Sequence, residues 1–108
     1  MKAYAIADLH SVDMGPEIVQ YLENIDETLA PFEGRFIVHG GAKSVVEGTW
    51  PGDLIIVEFP SKSAAQAWYA SPAYQRILAL RANNSDGDVA IVEGVSPGHR
   101  ATDILTSS

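Results

Sequence analysis

The sequence predicts an α+β fold in which four antiparallel strands form one sheet and the helices cover one of its faces. Three observations predict this class. Segments with strand-like patterns occur at residues 2–10, 35–39, 54–59 and 88–95, an amphipathic helical segment follows the first, and a second helical segment follows the third. The order is therefore βαββαβ, the split βαβ arrangement, with strands one and three in the centre of the sheet.

Strand one and helix one are expected to pack closely. Small and larger residues alternate over residues 2–10, so one face of the strand is mostly alanine and admits a helix at short range. Helix one begins after Gly15-Pro16, and we expect Gly34 as its C-cap. Its apolar stripe consists of Ile18, Leu22, Ile25, Leu29 and Phe32.

The middle of the chain is predicted to be a ribbon with a turn. Strand two, residues 35–39, ends at Gly40, and we expect residues 44–47 to extend it after a bend. Residues 49–52 read Thr-Trp-Pro-Gly, which predicts a type II turn before strand three.

The second helical segment is predicted to break in the middle. Ser61 is a good N-cap, and Ser71-Pro72 supplies a second cap followed by a proline at the first helical position. The side chains expected to face inward are Ala64, Trp68, Ile77 and Leu80. A polar turn at residues 83–87 then leads to strand four.

The sheet carries apolar residues on both faces, although the helices cover only one. In strand three, Val57 and Phe59 oppose Leu54 and Ile56. An apolar sheet face left in water is a liability, so we expect two copies of the chain to pack sheet on sheet as a twofold homodimer.

Length predicts one domain, residues 1–95, followed by a tail, residues 96–108. We expect the tail to pack on the partner subunit through Ile104 and Leu105. The N-terminus has no signal-peptide layout and no apolar segment is long enough to span a membrane, so a cytoplasmic protein that does not enter membranes is expected.

Charge and composition exclude several function classes. The net charge of −7 argues against nucleic acid, because an acidic surface repels phosphates. Cysteine is absent, which excludes disulfides, thiolate metal sites and a cysteine nucleophile. The three histidines lack the spacing of metal ligands, and we expect no metal ion and no cofactor.

Four segments carry a family resemblance. They are Gly-Gly-Ala-Lys-Ser-Val-Val-Glu-Gly-Thr-Trp-Pro, Val-Glu-Phe-Pro-Ser, Ala-Trp-Tyr-Ala-Ser-Pro-Ala-Tyr-Gln and Val-Glu-Gly. Over about residues 2–95, their content and order resemble the bacterial family called domain of unknown function 1330. The resemblance implies a ferredoxin-like dimeric α+β barrel. More distant relatives by fold, such as cofactor-free monooxygenases, suggest that a cleft between sheet and helices holds a ligand.

Three side chains are candidates for catalytic proton transfer. His39 ends strand two beside a glycine pair, and histidine is a residue type suited to general acid or base chemistry at physiological pH. Glu58 and Asp8 come close if strands one and three are parallel neighbours, and a close carboxylate pair raises one pKa. The alternative is structural: His39 bonds a loop carbonyl, and each carboxylate finds a backbone or arginine partner, with Arg35 near Glu58.

Four side chains are candidates for ligand binding. Tyr74 and Arg81 lie two helical turns apart on one face, where they can flank a cleft for a carboxylate or a phenol. Trp50 either covers a pocket or fills a hole in the partner subunit. Arg35 is the fourth. The alternative for Tyr74 and Arg81 is a solvated helix edge, with Arg81 paired to an aspartate of strand four.

Two functional hypotheses remain open. In the first, a small homodimer binds or transforms a small organic acid or aromatic compound between sheet and helices. In the second, the chain is a non-catalytic dimeric module that binds a metabolite or stabilises an assembly.

Overall fold

The computed structural model describes residues 1–105, which form one four-stranded antiparallel sheet with three α-helices on one face. The strands are β1 (Ala3–Val12), β2 (Arg35–His39), β3 (Asp53–Phe59) and β4 (Ser85–Glu93); the helices are α1 (Pro16–Leu29), α2 (Lys62–Ala70) and α3 (Pro72–Ala82). The strand order is β2-β3-β1-β4, so β1 and β3 are central neighbours. This is the predicted ferredoxin-like fold.

The alanine face of β1 lies under the helices, as predicted. Ala3, Ala5 and Leu9 are buried, and Ala5 belongs to the main core together with Ile25 of α1. Small side chains on this strand let the helices approach the sheet closely. The helix-covered face of the sheet therefore forms one wall of the core.

Trp68 of α2 lies at the centre of an aromatic core. Its ring centroid is 4.1 Å from that of Tyr74 and 5.4 Å from that of Phe59, and all three side chains are almost fully buried. The indole Nε1 donates a hydrogen bond to Thr28 Oγ1 at 3.0 Å, which satisfies the one polar atom of the ring. Trp68 is a core residue, as predicted.

The break between α2 and α3 is confirmed. The Ser61 side chain accepts a hydrogen bond from the Ala64 amide, and the Ser71 side chain accepts one from the Tyr74 amide. Pro72 occupies the first turn of α3. The second cap restarts the helix so that Tyr74, one turn later, enters the core.

The loop between β2 and β3 differs from the prediction. Residues 44–47 are not a strand, and residues 49–52 do not form a type II turn, which would need a positive φ at Gly52. Gly52 is buried against β1, where an added Cβ would lie 2.5 Å from the Leu9 carbonyl oxygen. Close packing, rather than turn geometry, explains this glycine.

Gly34 also has a different role from the predicted one. The residue with left-handed backbone after α1 is Glu33, with φ 57°, at the end of a short 3₁₀ turn over Ala30–Phe32. A Cβ on Gly34 would lie 2.6 Å from a ring carbon of Phe59, which is 1% exposed. The chain needs glycine here because a side chain has no room.

Strands β1 and β4 are longer than the sequence indicated. Ser85 and Asp86 were expected in a polar turn, yet they pair with Val12 and Ser11 after a register shift in β1. The register shift is a β-bulge or similar irregularity, which keeps the ladder going past the point where the apolar pattern ends.

Among residues 1–105, no helix covers the second face of the sheet, which we call the bare face. Ile6 and Ile56 are paired neighbours near its centre, and Val92 is 45% exposed there. In the tail, a 3₁₀ turn over Ala101–Leu105 leaves Ile104 and Leu105 exposed. Their contact with a partner stays a prediction, and residues 106–108 of the tail lie outside the described residues. Over residues 1–105, every helix is too short or too polar to cross a membrane.

Candidate functional site

A cavity of about 310 Å³ lies between the helix-covered face of the sheet and the helices. This volume is at the lower end of the roughly 300–1,000 Å³ that ligand pockets in proteins occupy. Most of its lining is apolar. The apolar lining includes Ala5, Ala7, Leu9, Val12, Met14, Ile18, Leu22, Ile25, Phe36, Ile55, Val57, Trp68 and Val89.

One end of the cavity coincides with one end of the sheet. His39 ends β2, Asp53 begins β3 and Ser85 begins β4, and all three line the cavity. Because the strands are antiparallel, the end of β2 and the starts of β3 and β4 meet at this edge. His39 and Asp53 are exposed, so a ligand can reach the cavity here.

His39 lies at this open end with its ring held flat against a neighbour. The imidazole stacks on Phe36, with ring centroids 4.3 Å apart and an angle of 11° between the rings. None of the hydrogen bonds among residues 1–105 involves the His39 ring, so the alternative of a loop-carbonyl partner is not observed. The ring nitrogens can therefore meet a ligand.

Tyr74 and Arg81 both line the cavity and meet a third polar residue there, Tyr21 of α1. The phenol oxygens of Tyr21 and Tyr74, which we call the phenol pair, are 2.9 Å apart. The Arg81 guanidinium carbon lies 5.9 Å from the centroid of the Tyr21 ring. The predicted alternative, a solvated helix edge, does not describe Tyr74, which is 2% exposed.

Sequence reasoning did not single out Tyr21. The predicted stripe of α1 used Leu22, which is 42% exposed, whereas Ile18, Tyr21 and Ile25 are buried. The spacing of three and then four residues also fits Tyr21, so the periodicity contained the signal. A tyrosine on an apolar stripe needs a polar partner inside, but the spacing does not identify that partner.

The pKa values of Tyr21 and Arg81 both depart from their ordinary values. Burial is the main reason that the pKa of Tyr21 lies well above its ordinary value, and the neighbouring Tyr74 adds to the shift. Burial alone would lower the pKa of Arg81, but its interactions with Tyr74 and Tyr21 raise it on balance. At physiological pH the cluster therefore contains neutral Tyr21 and a guanidinium cation.

The predicted approach of Asp8 to Glu58 is wrong. Strands β1 and β3 are antiparallel, so Glu58 pairs with Tyr4 while Asp8 pairs with Leu54, farther along the sheet. The prediction of parallel β1 and β3 is wrong because the chain reverses its direction between β2 and β3. A shared proton between these two carboxylates is therefore excluded.

Glu58 is held by two cations, as the structural alternative expected. Arg35 donates to Oε1 from Nε at 3.1 Å and from Nη2 at 3.0 Å, and Lys2 Nζ lies 3.4 Å from the same oxygen. The hydrogen bonds from Arg35 are the main reason that the pKa of Glu58 lies below its ordinary value; partial desolvation opposes this, and Lys2 supports it.

Replacement of Glu58 by glutamine is expected to lower stability at neutral pH but not in acid. The folded state lowers the pKa of Glu58, so the ionised carboxylate stabilises the fold at pH values above its ordinary pKa of 4.5. This stabilisation is lost as the pH falls through the lower pKa of the folded state. Urea unfolding of both proteins at pH 7 and pH 3 measures this difference. Glu47→Gln, at an exposed position, is the control. A difference that persists unchanged at pH 3 would contradict the electrostatic explanation.

Trp50 and Asp8 meet outside the cavity. Trp50 Nε1 lies 3.3 Å from Asp8 Oδ1, and Lys43 Nζ lies 5.9 Å from the Trp50 ring centroid. Asp8, like Glu58 and its partner Arg35, belongs to the bare face rather than to the cavity wall. Catalytic roles for Asp8 and Glu58, and ligand-binding roles for Trp50 and Arg35, thus stay predictions that a site in the cavity does not support.

The sequence matches one family over most of its length. Residues 2–95 fit the sequence profile of DUF1330, described as a domain of unknown function. No functionally curated protein sequence matches this chain.

Several solved structures share the fold at low sequence identity. A protein of unknown function from Rhodopseudomonas palustris is 15% identical, with 89% of this chain and 84% of that chain covered and a TM-score of 0.65. A dimeric ferredoxin-like protein of unknown function from Jannaschia sp. CCS1 is also 15% identical, with 87% and 100% covered and a TM-score of 0.66. SnoaB, a cofactor-independent oxygenase from Streptomyces nogalater, is 10% identical, with 92% and 96% covered and a TM-score of 0.56. At these identities the likeness shows the fold alone.

Proposed function

The chain belongs to the DUF1330 family, and we propose that it is a cytoplasmic homodimer that binds or transforms a small organic acid or aromatic compound in its cavity. One observation carries the proposal. A mainly apolar cavity of about 310 Å³ contains three polar groups suited to an acid or an aromatic oxygen: the His39 imidazole, the Tyr74 phenol and the Arg81 guanidinium. Apolar walls with a few placed polar groups are typical of ligand sites.

The bare face supports the proposed homodimer. Leu54, Ile56 and Val92 give this face an apolar centre, while the helices occupy the other side of the sheet. Two such faces can pack about 10 Å apart in a sheet-on-sheet interface. The Jannaschia protein of the same fold is described as dimeric, which supports this arrangement.

His39 is the residue that favours a transformation over binding alone. It is at the open end of the cavity, and an imidazole can accept a proton from a ligand near neutral pH. Proton transfer needs no cofactor, and SnoaB of the same fold is described as a cofactor-independent oxygenase. Removal of a C–H proton next to a carbonyl group is the step that this site best supports.

A non-catalytic metabolite-binding dimer is the second candidate. Two findings favour it: Glu58 is paired with the cations Arg35 and Lys2, and Asp8 lies too far along the sheet from Glu58 to share a proton with it. These two findings leave His39 as the one cavity residue among the three proton-transfer candidates.

A thermal-shift screen of small organic acids and aromatic compounds tests the shared part of both candidates. We expect compounds with one ring or a similar volume to raise the melting temperature, because a ligand that binds only the folded state stabilises it. Larger polycyclic compounds serve as the size control. A screen without a concentration-dependent hit would contradict the proposal.

Deuterium exchange then separates the two candidates. Phenylpyruvate carries C–H protons next to a carbonyl group; a base breaks the C–H bond, the electron pair moves to the carbonyl oxygen, and a solvent deuteron replaces the proton. We expect the protein to accelerate this exchange in D₂O and His39→Gln to abolish the acceleration while phenylpyruvate still binds. Binding without acceleration would favour the non-catalytic module.

A further inference from the structure

The phenol pair has one more hydrogen-bond donor than it uses. Each phenol carries one O–H hydrogen, and the 2.9 Å contact between Tyr21 and Tyr74 uses only one of the two. Over residues 1–105, neither phenol oxygen makes a hydrogen bond to any acceptor outside the pair. Arg81 can donate but not accept. One O–H group therefore lacks an acceptor in the described protein, and both rings line the cavity.

Arg81 gives this donor a cationic neighbour. Its guanidinium lines the same cavity, and the guanidinium carbon lies 5.9 Å from the centroid of the Tyr21 ring. Because burial keeps Tyr21 protonated, the three side chains present donors and one positive charge, while the Asp53 carboxylate lines the open end of the same cavity. A group that accepts hydrogen bonds and carries negative charge would complete the cluster.

The rest of the cavity restricts the size and polarity of the ligand. Ala5, Val57 and Trp68 form apolar walls near the core, and the volume of about 310 Å³ is small for a ligand pocket. A flat ring is favoured over a flexible chain of the same volume, because the ring loses less conformational entropy when it binds.

We propose that the phenol pair and Arg81 together bind the carboxylate of a single-ring aromatic acid, whose ring contacts the apolar walls. This inference rests on the proposed function and names the ligand class of the same cavity. It gives Tyr21 a binding role that the sequence did not suggest. The carboxylate accepts the unused O–H hydrogen and faces the guanidinium.

Benzoate and its neutral analogue benzamide are the probes for the charge. In titration calorimetry of the full chain, we expect benzoate to bind more tightly than benzamide, and Arg81→Gln to weaken benzoate roughly tenfold or more and to remove this preference. Arg76→Gln is the matched control, because it removes the same charge from an exposed position of the same helix. It should leave both affinities within about threefold of wild type.

Phenylalanine variants test the donor count. Either single variant, Tyr21→Phe or Tyr74→Phe, leaves one O–H that has lost its phenol acceptor and is free for the ligand, so each should weaken benzoate by less than about threefold. The double variant leaves no phenol donor and should weaken it roughly tenfold or more. If the two tyrosines had independent structural roles, the double variant would instead weaken benzoate binding by the product of the two single-variant factors.

The outcomes distinguish this inference from the proposed function. If wild-type protein binds benzoate and benzamide equally, or if the folded double variant binds benzoate as tightly as wild type, the inference is wrong while the cavity remains a ligand site. If the double variant fails to fold by circular dichroism, the Arg81→Gln comparison decides. Binding of neither probe, together with an empty ligand screen, would overturn both.

Discussion

Trp68→Ala is expected to destabilise the fold by about 3–5 kcal/mol, the usual cost of removing a buried tryptophan side chain. Trp68 is 3% exposed, contacts Phe59 and Tyr74, and donates a hydrogen bond to Thr28. Single domains have roughly 5–15 kcal/mol of total stability, so this loss would remove a large part of it. Urea unfolding followed by circular dichroism measures the change.

Two further variants show whether the loss of stability comes from the buried volume that the substitution removes. Trp68→Phe keeps most of the apolar volume and loses the bond to Thr28, so it should cost clearly less than alanine. Gln66→Ala, at an exposed position of the same helix, should change stability by less than about 0.5 kcal/mol. If Trp68→Ala and Gln66→Ala lowered the free energy of unfolding equally, the place given to Trp68 in the core would be wrong.

Ile56→Glu is expected to convert a dimer into a monomer. Ile56 pairs with Ile6 on one side and with Val38 on the other, in the middle of the bare face. Two copies packed sheet on sheet would bury this position, and a buried unpaired carboxylate is too costly for the interface to tolerate. Sedimentation equilibrium at micromolar concentration should give twice 11.6 kDa for the wild type and 11.6 kDa for the variant.

Val19→Glu is the matched control for the dimer. It introduces the same charge at a β-branched residue of α1 that is 47% exposed on the helix side of the molecule. This variant should sediment as the wild type does. A monomeric wild type, or a dimeric Ile56→Glu protein, would show that the bare face is not the interface.

Local signals explain why most elements could be predicted from the sequence. The Ser61 and Ser71 caps, the proline after the second cap and the apolar alternation of β1 each act within a few residues, and each appears where it was expected. Burial of Trp68 followed from its helical spacing. These features need no knowledge of how distant segments meet.

The candidate site depended on long-range geometry and was predicted only in part. Tyr74 and Arg81 share a helix face, so their joint position in the cavity could be anticipated. The antiparallel sense of β1 and β3, which separates Asp8 from Glu58, is a property of the whole topology. Likewise, the contact of Tyr21 with Tyr74 joins residues 53 positions apart, and no local pattern predicts it.

The central claim is that the two faces of the sheet have different tasks, with a ligand between sheet and helices and a second subunit on the bare face. Methyl-resolved NMR of the wild-type protein during a benzoate titration tests it most directly, because neighbouring residues of β3 point to opposite faces. We expect the Ala5 and Val57 methyl signals, which line the cavity, to shift with saturation, while those of Ile56 and Val92 stay in place. Saturable shifts confined to Ile56 and Val92 would contradict the claim.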